Sequence, residues 1–306
     1  MEFETAEVTL IGDRDVNQDR HGVLLGDEEV MLTVCDGMGG HEDGEIAAQT
    51  AVDACMAGFR EQKPDIEEAP AFMKMVIEQA HRDVVRVGIR KPVDQRPRTT
   101  ATVCIIADRK AVWAHVGDSR IYHFRKGGVF HRTRDHSAVE GLFQRGAITE
   151  AQMLTHPMRN FVEECLGGES AEPKIDISGA EPLEAGDVLL LCSDGFWSPL
   201  NMDVVAERLA AAKDLQDELD DLAHEATEAA KPHSDNATAV ALRRFNRTIR
   251  SSRDRSCTSS SGVPPAQPPT SEHASHSGPQ SARRTSSSAA TWSRSVTSHC
   301  DSRSRP

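Results

Sequence analysis

Three aspartates stand at the ends of predicted β-strands, where each strand meets a glycine or a polar turn. Asp36 follows the run MLTVC, Asp194 follows LLLCS, and Asp235 begins the run DNATAVAL. A carboxylate at a sheet edge costs desolvation free energy unless a cation or hydrogen-bond donors compensate for it. Aspartate is also a common turn residue, so turn chemistry explains each position taken alone. The three positions together favour a bound divalent cation.

The ligand chemistry of these positions favours magnesium or manganese. All three offer hard carboxylate oxygens, and backbone carbonyls at glycine turns such as Gly37 can add further oxygens. No histidine pair or thiolate set accompanies them in the sequence, which argues against zinc and copper.

An early segment, GDRDVNQDR, places Arg14 and Asp19 close to the first predicted strands. The planar guanidinium of arginine matches phosphate oxygens, so Arg14 beside a carboxylate-bound metal is a candidate phosphate clamp. The alternative is a surface ion pair of Arg14 with Asp13 or Asp15, which would contribute little.

The composition argues against several other classes of protein. The 306-residue chain has 48 acidic residues against 35 Lys and Arg, a net charge of −13. Nucleic-acid affinity requires basic residues that neutralise phosphates, so we expect no nucleic-acid partner. The seven cysteines form no CxxC pair, which predicts reduced thiols. No apolar run approaches the roughly 20 residues of a membrane span, and no signal-peptide pattern is present, which predicts a cytoplasmic protein.

Apolar periodicity predicts the elements that must hold these residues. Continuous or alternating apolar runs predict strands, and apolar residues three and four apart predict helices. The predicted strands are 6–11, 21–25, 30–35, 99–107, 111–116, 121–124, 174–179, 188–193 and 237–243. The predicted helices are 45–60, 66–87, 202–212 and 215–230.

Strands and helices follow one another in groups rather than in regular alternation. This order predicts an α+β fold, a four-layer α-β-β-α sandwich with two central, mainly antiparallel sheets flanked by helix pairs. Residues 136–168 are irregular and predict a surface excursion with short helices. Residues 248–306 are rich in Ser, Thr, Pro and Arg, which predicts a disordered tail after a domain of residues 1–247.

Seven sequence blocks, in order along residues 6–244, resemble the metal-dependent type 2C (PPM) family of Ser/Thr protein phosphatases, in its bacterial branch. A single DG or GDSR would carry little weight, whereas seven ordered blocks are specific. The blocks are RDVNQD (14–19), DGMGGHEDGEIAA (36–48), TTAT (99–102), VGDSRIY (116–122), DHS (135–137), SDGFW (193–197) and DNATAV (235–240). The resemblance implies the same layered sandwich, with two Mn²⁺ or Mg²⁺ ions at one end.

The resemblance also implies a set of metal ligands. Asp36 would bridge both metal ions, and Gly37 would offer its carbonyl. Asp194 and Asp235 would bind the first metal, and Asp19 would hold metal-bound waters.

Two further positions match the family in their roles. Arg14 matches the position that contacts substrate phosphate, and Asp118 matches a ligand of a third, weaker metal in bacterial members. The family often has an acid that helps to bind this third metal three residues after the SDG block. Ser198 stands there in this chain, which is a departure from the third-site pattern.

The general acid is a second departure. Some members have a histidine directly after the DG pair, proposed as the general acid, and this chain has Met38. His41 is the nearest imidazole and the candidate proton donor. The alternative is that His41 only helps to cap the helix or contacts substrate. Residues 136–168 correspond to the mobile flap of the bacterial enzymes, and Arg159 within it either contacts substrate or has a structural role.

The implied activity is hydrolysis of phosphoserine and phosphothreonine in proteins by a water that two cations activate. The implied partners are phosphoprotein substrates and a cognate Ser/Thr kinase, and we expect a monomer. A pseudophosphatase or phosphoprotein-binding regulatory module is one alternative, and the intact Asp36, Asp194 and Asp235 argue against it. A structural cation-binding domain is another, and Arg14 argues against it because such a domain has no use for a phosphate clamp.

Overall fold

A computed structural model describes residues 3–26, 28–38, 43–169 and 171–245. These residues all belong to one compact unit, Met1–Arg250. The predicted tail 248–306 and the candidate acid His41 lie outside the described residues.

Two antiparallel sheets form the centre of the fold. The strands are β1 (Phe3–Leu10), β2 (Asp19–Leu25), β3 (Val30–Met38), β4 (Arg98–Thr99), β5 (Ala101–Ala107), β6 (Lys110–Val116), β7 (Arg120–Arg125), β8 (Gly128–Arg132), β9 (Leu166–Gly167), β10 (Asp176–Ile177), β11 (Glu181–Pro182), β12 (Val188–Cys192) and β13 (Ala237–Arg244). The smaller sheet has the order β1-β13-β12-β7-β8. The larger has the order β10-β6-β5-β3-β4-β9, with β2 paired to β3 and β11 paired to β6.

The helices flank these sheets and also form the excursion between β8 and β9. They are α1 (Gly44–Gln62), α2 (Ala69–Gly88), α3 (Ala138–Gln144), α4 (Glu150–Met153), α5 (Asp194–Trp197), α6 (Met202–Ala211) and α7 (Leu215–Ala229). A 3₁₀ turn covers Val93–Gln95.

Three apolar clusters lie between four layers of structure. One joins α1 and α2 to the larger sheet, a second joins α6 and α7 to the smaller sheet, and a third lies between the sheets. Along β3, Met31 and Cys35 belong to the first cluster, whereas Leu32 and Val34 belong to the third. A strand buried on both faces has an uninterrupted apolar sequence, and burial of both faces stabilises it in the centre of the fold. The predicted four-layer sandwich is confirmed.

Some of the smaller elements differ from the prediction. Strand β8 was not predicted, because the middle of the strand is exposed and its sequence GVFHR has no apolar run. It follows a tight hairpin turn in which Lys126 and Gly127 have φ of 55° and 73°. The predicted strand 174–179 is only two residues long, since β10 pairs with β6 at Asp176 and Ile177 alone.

Candidate metal centre

Strand ends from both sheets meet at one end of the sandwich and bring the predicted aspartates together. Asp19 begins β2 and pairs directly across from Asp36, near the end of β3. Asp194 is the first residue of α5, after β12, and Asp235 precedes β13. A cavity of about 240 Å³ is lined by Asp36, Asp194, Asp235 and Asp118.

The TTAT block holds the backbone of Asp36 in place. The Asp36 amide donates to Thr100 Oγ1 at 2.8 Å, and the Thr100 amide donates to the Asp36 carbonyl at 2.9 Å. Thr99 Oγ1 also donates to that carbonyl at 2.9 Å. Two threonines therefore bond both the amide and the carbonyl of Asp36, and these bonds fix the direction of the strand end.

Both DG pairs need their glycine because another backbone approaches closely. A Cβ on Gly37 would collide with the Gly44 carbonyl, and one on Gly195 would collide with the Asn236 carbonyl. Any larger residue would push apart the segments that carry the carboxylates.

Asp19 does not line the cavity, but its side chain joins β2 to the segment that follows β12. The side chain is buried, and Ser193 Oγ, between β12 and α5, donates to its Oδ2 at 2.7 Å. Among the described residues its Oδ1 has no hydrogen-bond partner. A buried carboxylate oxygen of this kind is costly unless a cation or an ordered water completes its contacts.

The electrostatics of the cluster follow from like charges brought together in a partly buried place. Burial raises the pKa of Asp19 to about 7, with the charges of Asp194 and Asp235 adding to the effect. Burial and then the charge of Asp235 raise the pKa of Asp194 to about 6. Burial and then the charge of Asp19 raise the pKa of Asp36 well above its ordinary value. The donor set therefore fits divalent cations, which would neutralise this repulsion.

Arg14 lies at the rim of the same cavity. Its Nη2 donates to Asp235 Oδ2 at 2.6 Å, and its side chain is 56% exposed. The expected alternative partner Asp13 instead accepts hydrogen bonds from the amide and hydroxyl of Ser234. The guanidinium thus stands beside the carboxylates, in the position the phosphate-clamp hypothesis requires.

Asp118 also lines the cavity, and a tryptophan holds its backbone. Trp197 Nε1, from α5, donates to the Asp118 carbonyl at 3.1 Å. Burial and then the charge of Asp194 raise the pKa of Asp118 well above its ordinary value. Ser198 lines a neighbouring cavity instead, together with Asp118.

The flap reaches the cavity through Asn160 and Val162, of which the sequence did not single out Val162. A bridge between Ser137 and Val162 ties the end of this segment to its beginning. Arg159 is exposed and lines the neighbouring cavity rather than the one with the four carboxylates.

A separate group of possible ligands consists of His115, His136 and Asp176, whose ligand atoms lie within 4.8 Å of one another. His136 Nδ1 accepts the Gly117 amide hydrogen at 3.3 Å, so its Nε2 carries the proton. That Nε2 lies 3.2 Å from Asp176 Oδ2. These contacts tie the segment of His136 to the loop before Asp118 and to β10.

Several positioning residues were missed by sequence reasoning. Asn236 Oδ1 accepts the Gln18 amide hydrogen at 2.8 Å and so joins the Asp19 and Asp235 segments. Three more residues join segments in the same way: Ser193 bonds to Asp19, Thr100 to Asp36 and Trp197 to Asp118. The available signal was their position inside the motif blocks, next to or near an aspartate.

Comparisons with known proteins agree with this geometry. A sequence model of the family described as Protein phosphatase 2C matches residues 10–243. The serine/threonine phosphatase stp of Listeria monocytogenes is 29% identical over 211 residues, covering 68% of this chain and 82% of that protein. The protein phosphatase PhpP of Streptococcus pneumoniae is 33% identical over 194 residues, covering 63% of this chain and 77% of that protein.

Solved structures show the same likeness. The S. agalactiae serine/threonine phosphatase has a TM-score of 0.72 and 30% identity, over 79% of this chain and 100% of that one. The catalytic domain of PstP, solved in complex with two manganese ions, has a TM-score of 0.66 and 27% identity, over 80% of this chain and 99% of that one. The chain therefore belongs to the protein phosphatase 2C family, in its bacterial branch of protein serine/threonine phosphatases, and the predicted family is confirmed.

In the part of the chain that the structure describes, no helix combines the length and the apolar character needed to cross a bilayer.

Proposed function

We propose that this enzyme hydrolyses phosphoserine and phosphothreonine in proteins with a water that two Mn²⁺ or Mg²⁺ ions activate, and that it opposes a Ser/Thr kinase. The observation that carries the proposal is the gathering of Asp36, Asp118, Asp194 and Asp235 around one cavity, with Arg14 at its rim. PstP, a relative in structure, holds two manganese ions.

In this proposal Asp36, the Gly37 carbonyl, Asp194 and Asp235 would hold the two ions. Asp19 contributes through ordered water, for which its unpartnered buried oxygen is suited. When bound, the two cations supply positive charge that lowers the pKa of water and offsets the charge on the phosphoryl oxygens.

Arg14 binds the phosphate in this scheme. Its Nη2 is engaged by Asp235, and the guanidinium has further N–H donors for phosphate oxygens. An arginine anchored on a ligand carboxylate is held in orientation before substrate arrives, which lowers the entropy lost on binding. Asp118 is proposed as a ligand of a third, weaker site, and the serine at position 198 predicts that this site binds less tightly than in members with an acid there.

The leaving alkoxide needs a proton. Met38 lines the cavity and has no proton to give. His41 stays the proposed acid, with substrate contact or helix capping as its alternative. Arg159 is proposed as a substrate contact, since it lies on the exposed flap beside the cavity.

The proposals for cellular location, oligomeric state and domain organisation rest on the sequence and the family. We propose a cytoplasmic monomer that acts on phosphoproteins, with a phosphatase domain of residues 1–247 and a disordered tail of residues 248–306. The alternatives are a pseudophosphatase or phosphoprotein-binding module, and a structural cation-binding domain.

One assay separates these functions. A phosphothreonine peptide is incubated with the full chain in Mn²⁺ and again after treatment with a chelator, and released phosphate is measured. We expect turnover with Mn²⁺ that disappears with the chelator and returns when Mn²⁺ is restored. Binding of Mn²⁺ without turnover would instead favour the two alternatives, and turnover that survives chelation would contradict the metal mechanism.

A further inference from the structure

A second cavity, of about 360 Å³, opens directly beside the carboxylate cavity. Asp118, Asn160 and Asp194 line both of them. Its volume is near the lower end of the range for ligand pockets, roughly 300–1,000 Å³. A polypeptide whose phosphate lies in the first cavity would therefore bring its neighbouring residues to the second.

The walls of this second cavity combine apolar side chains with polar and charged ones, and they come from both sides. The flap supplies one side, and the segment from α5 to the start of α6 supplies the other. On these two sides the apolar lining residues are Val139, Met153, Leu154, Trp197, Leu200 and Met202, and β7 and β8 add Tyr122 and Val129. Val139 and Met153 are each 4% exposed, so the flap side rests on packed side chains.

Two arginines that line the second cavity are paired with carboxylates of the chain. Arg120 makes two hydrogen bonds to Asp135, at 2.8 and 2.7 Å, and lies 3.3 Å above the Trp197 ring. Arg132 pairs with Glu140 at 3.3 Å. Because these two guanidiniums are already compensated, they do not favour an acidic occupant. Arg159 and Asp203 also line this cavity and are exposed to solvent, and Asp118 and Asp194 belong to the carboxylate cavity as well.

Exposed apolar side chains mark the segments around both cavities. Leu154, Met158 and Phe161 on the flap are 45%, 46% and 57% exposed, and Val16 beside the first cavity is 50% exposed. Leu154 lines the second cavity and Val16 the first. These side chains are accessible to a polypeptide bound at either cavity.

We propose that the second cavity is a specificity subsite that takes one large apolar side chain, such as Leu, Met or Phe, close in sequence to the phosphorylated residue of the substrate protein. This inference rests on the proposed function of the neighbouring carboxylate cavity and names the kind of substrate that the enzyme prefers.

The experiment compares phosphothreonine peptides with Mn²⁺ present. A peptide with glycine and serine around the phosphothreonine is the reference, and single Leu residues are placed in turn at each flanking position. We expect one position at which Leu raises kcat/KM by about tenfold, the scale on which an apolar pocket distinguishes side chains. Lys and Glu at that position should give no comparable gain.

Variants connect this preference to the cavity. Leu154→Glu introduces a charge into the cavity wall, while Val204→Glu makes the same kind of change at a residue of α6 that is 46% exposed and does not line the cavity. The readout is the ratio of kcat/KM for the Leu and glycine peptides on the same protein, so that a general change in turnover cancels. We expect the ratio to fall to near one in Leu154→Glu, to stay at the wild-type value in Val204→Glu, and to be retained in Leu154→Met.

Each other outcome overturns the inference. Equal kcat/KM for Leu and glycine at every position would show that the cavity does not select an apolar side chain. A larger gain from Lys or Glu would show that it selects charge, and equal ratios in the two glutamate variants would place the preference elsewhere. If no peptide is hydrolysed with Mn²⁺, the proposed function fails together with the subsite, whereas hydrolysis without selectivity leaves the proposed function standing.

Discussion

Strand β12 has an aspartate near each of its ends, and the pKa values of these two carboxyls are shifted in opposite directions. Asp187, just before the strand, is 2% exposed and pairs with His123 at 2.8 Å and Arg125 at 2.7 Å. Burial alone would raise the pKa of Asp187, but the hydrogen bonds from Arg125 and His123 outweigh burial, and its pKa lies below the ordinary value. At the other end, burial and the charge of Asp235 raise the pKa of Asp194 to about 6.

The difference teaches how structural and functional carboxylates are told apart in this protein. The chain neutralises Asp187 with its own Arg125 and adds a hydrogen bond from His123. At the opposite end it collects Asp19, Asp36, Asp118 and Asp194 with raised pKa values, and Arg14 pairs with Asp235 at the rim. Groups that repel one another in the metal-free protein persist where they serve a function, so the cluster favours a cation site over a structural role.

The largest expected effect is on catalysis at the repelling cluster. Asp36→Asn and Asp194→Asn should each lower kcat/KM for a phosphothreonine peptide by at least about a thousandfold, because metal charge contributes several kcal/mol to such reactions. Near-UV circular dichroism should show an intact fold. Asp53→Asn, a change at an exposed acid of α1, is the matched control and should retain wild-type kcat/KM. Wild-type rates in either site variant would remove that residue from the metal centre.

A substitution at the opposite end of β12 should lower the stability of the protein rather than its catalytic rate. Asp187→Asn leaves His123 and Arg125 without their carboxylate and should lower the free energy of unfolding by about 3 kcal/mol, as when one partner of a buried pair is removed. Urea unfolding of the metal-free protein measures this change. Asp36→Asn should show no such loss there. An equal loss in both variants would mean that the two ends of the strand do not differ in the way described.

The pH dependence of stability should also separate the two ends. A carboxyl whose folded pKa is above its unfolded value binds more protons in the folded state, so its charge costs stability as the pH rises through that interval. For Asp194 the interval runs from 3.8 to about 6. The metal-free Asp194→Asn variant should therefore become progressively more stable than wild type across this interval. For Asp187, whose folded pKa is lowered, replacement by Asn should become more costly as the pH rises through the folded pKa towards 3.8.

These pH effects are measured by urea unfolding of the chelated proteins at a series of pH values. The difference between each variant and wild type cancels the titrating groups that are distant from the replaced carboxyl. In Asp194→Asn it also includes the relief of Asp19, Asp36 and Asp118, which acts in the same direction. A difference between Asp194→Asn and wild type that does not change with pH would contradict the raised pKa.

A smaller effect is expected at the rim of the cluster. Arg14→Ala should raise KM for phosphopeptides by about tenfold with a lesser change in kcat, because uniform binding of the phosphate is lost. Arg14→Lys keeps the charge but not the planar fork, and should give an intermediate KM. Steady-state kinetics at saturating Mn²⁺ measure both constants. An unchanged KM in Arg14→Ala would show that this guanidinium does not bind the phosphate.

The smallest effect is expected beyond the sandwich. Truncation after Arg247 should leave kcat/KM for a phosphothreonine peptide unchanged, since every carboxylate of the cluster precedes that residue. Loss of activity in a truncated protein that is still folded would show that the tail takes part in catalysis.

The sequence predicted the elements whose burial imposes a pattern. Strands β3, β5 and β12 have continuous apolar runs because both faces are covered, and the long helices have an apolar face. Strand β8 escaped prediction because it lies at the edge of the smaller sheet and is largely exposed. Helix α5 escaped because it is a single turn directly after a strand.

The carboxylates of the site were predictable from strand ends and ordered motifs, but their supports were not. The bond from Ser193 to Asp19 spans 174 positions of sequence, and nothing in either segment alone indicates that they meet. The same holds for the indole of Trp197 on the Asp118 carbonyl. The second cavity depends on how the flap packs near α6, which local periodicity does not encode.

The most direct test of the cluster as a cation site is calorimetric titration of Mn²⁺ into the chelator-treated protein. The account predicts two ions for each chain, the number held by PstP, with binding strongly weakened in Asp36→Asn and unaltered in Asp187→Asn. Absence of binding to the wild-type protein, or equal binding by Asp36→Asn, would contradict it.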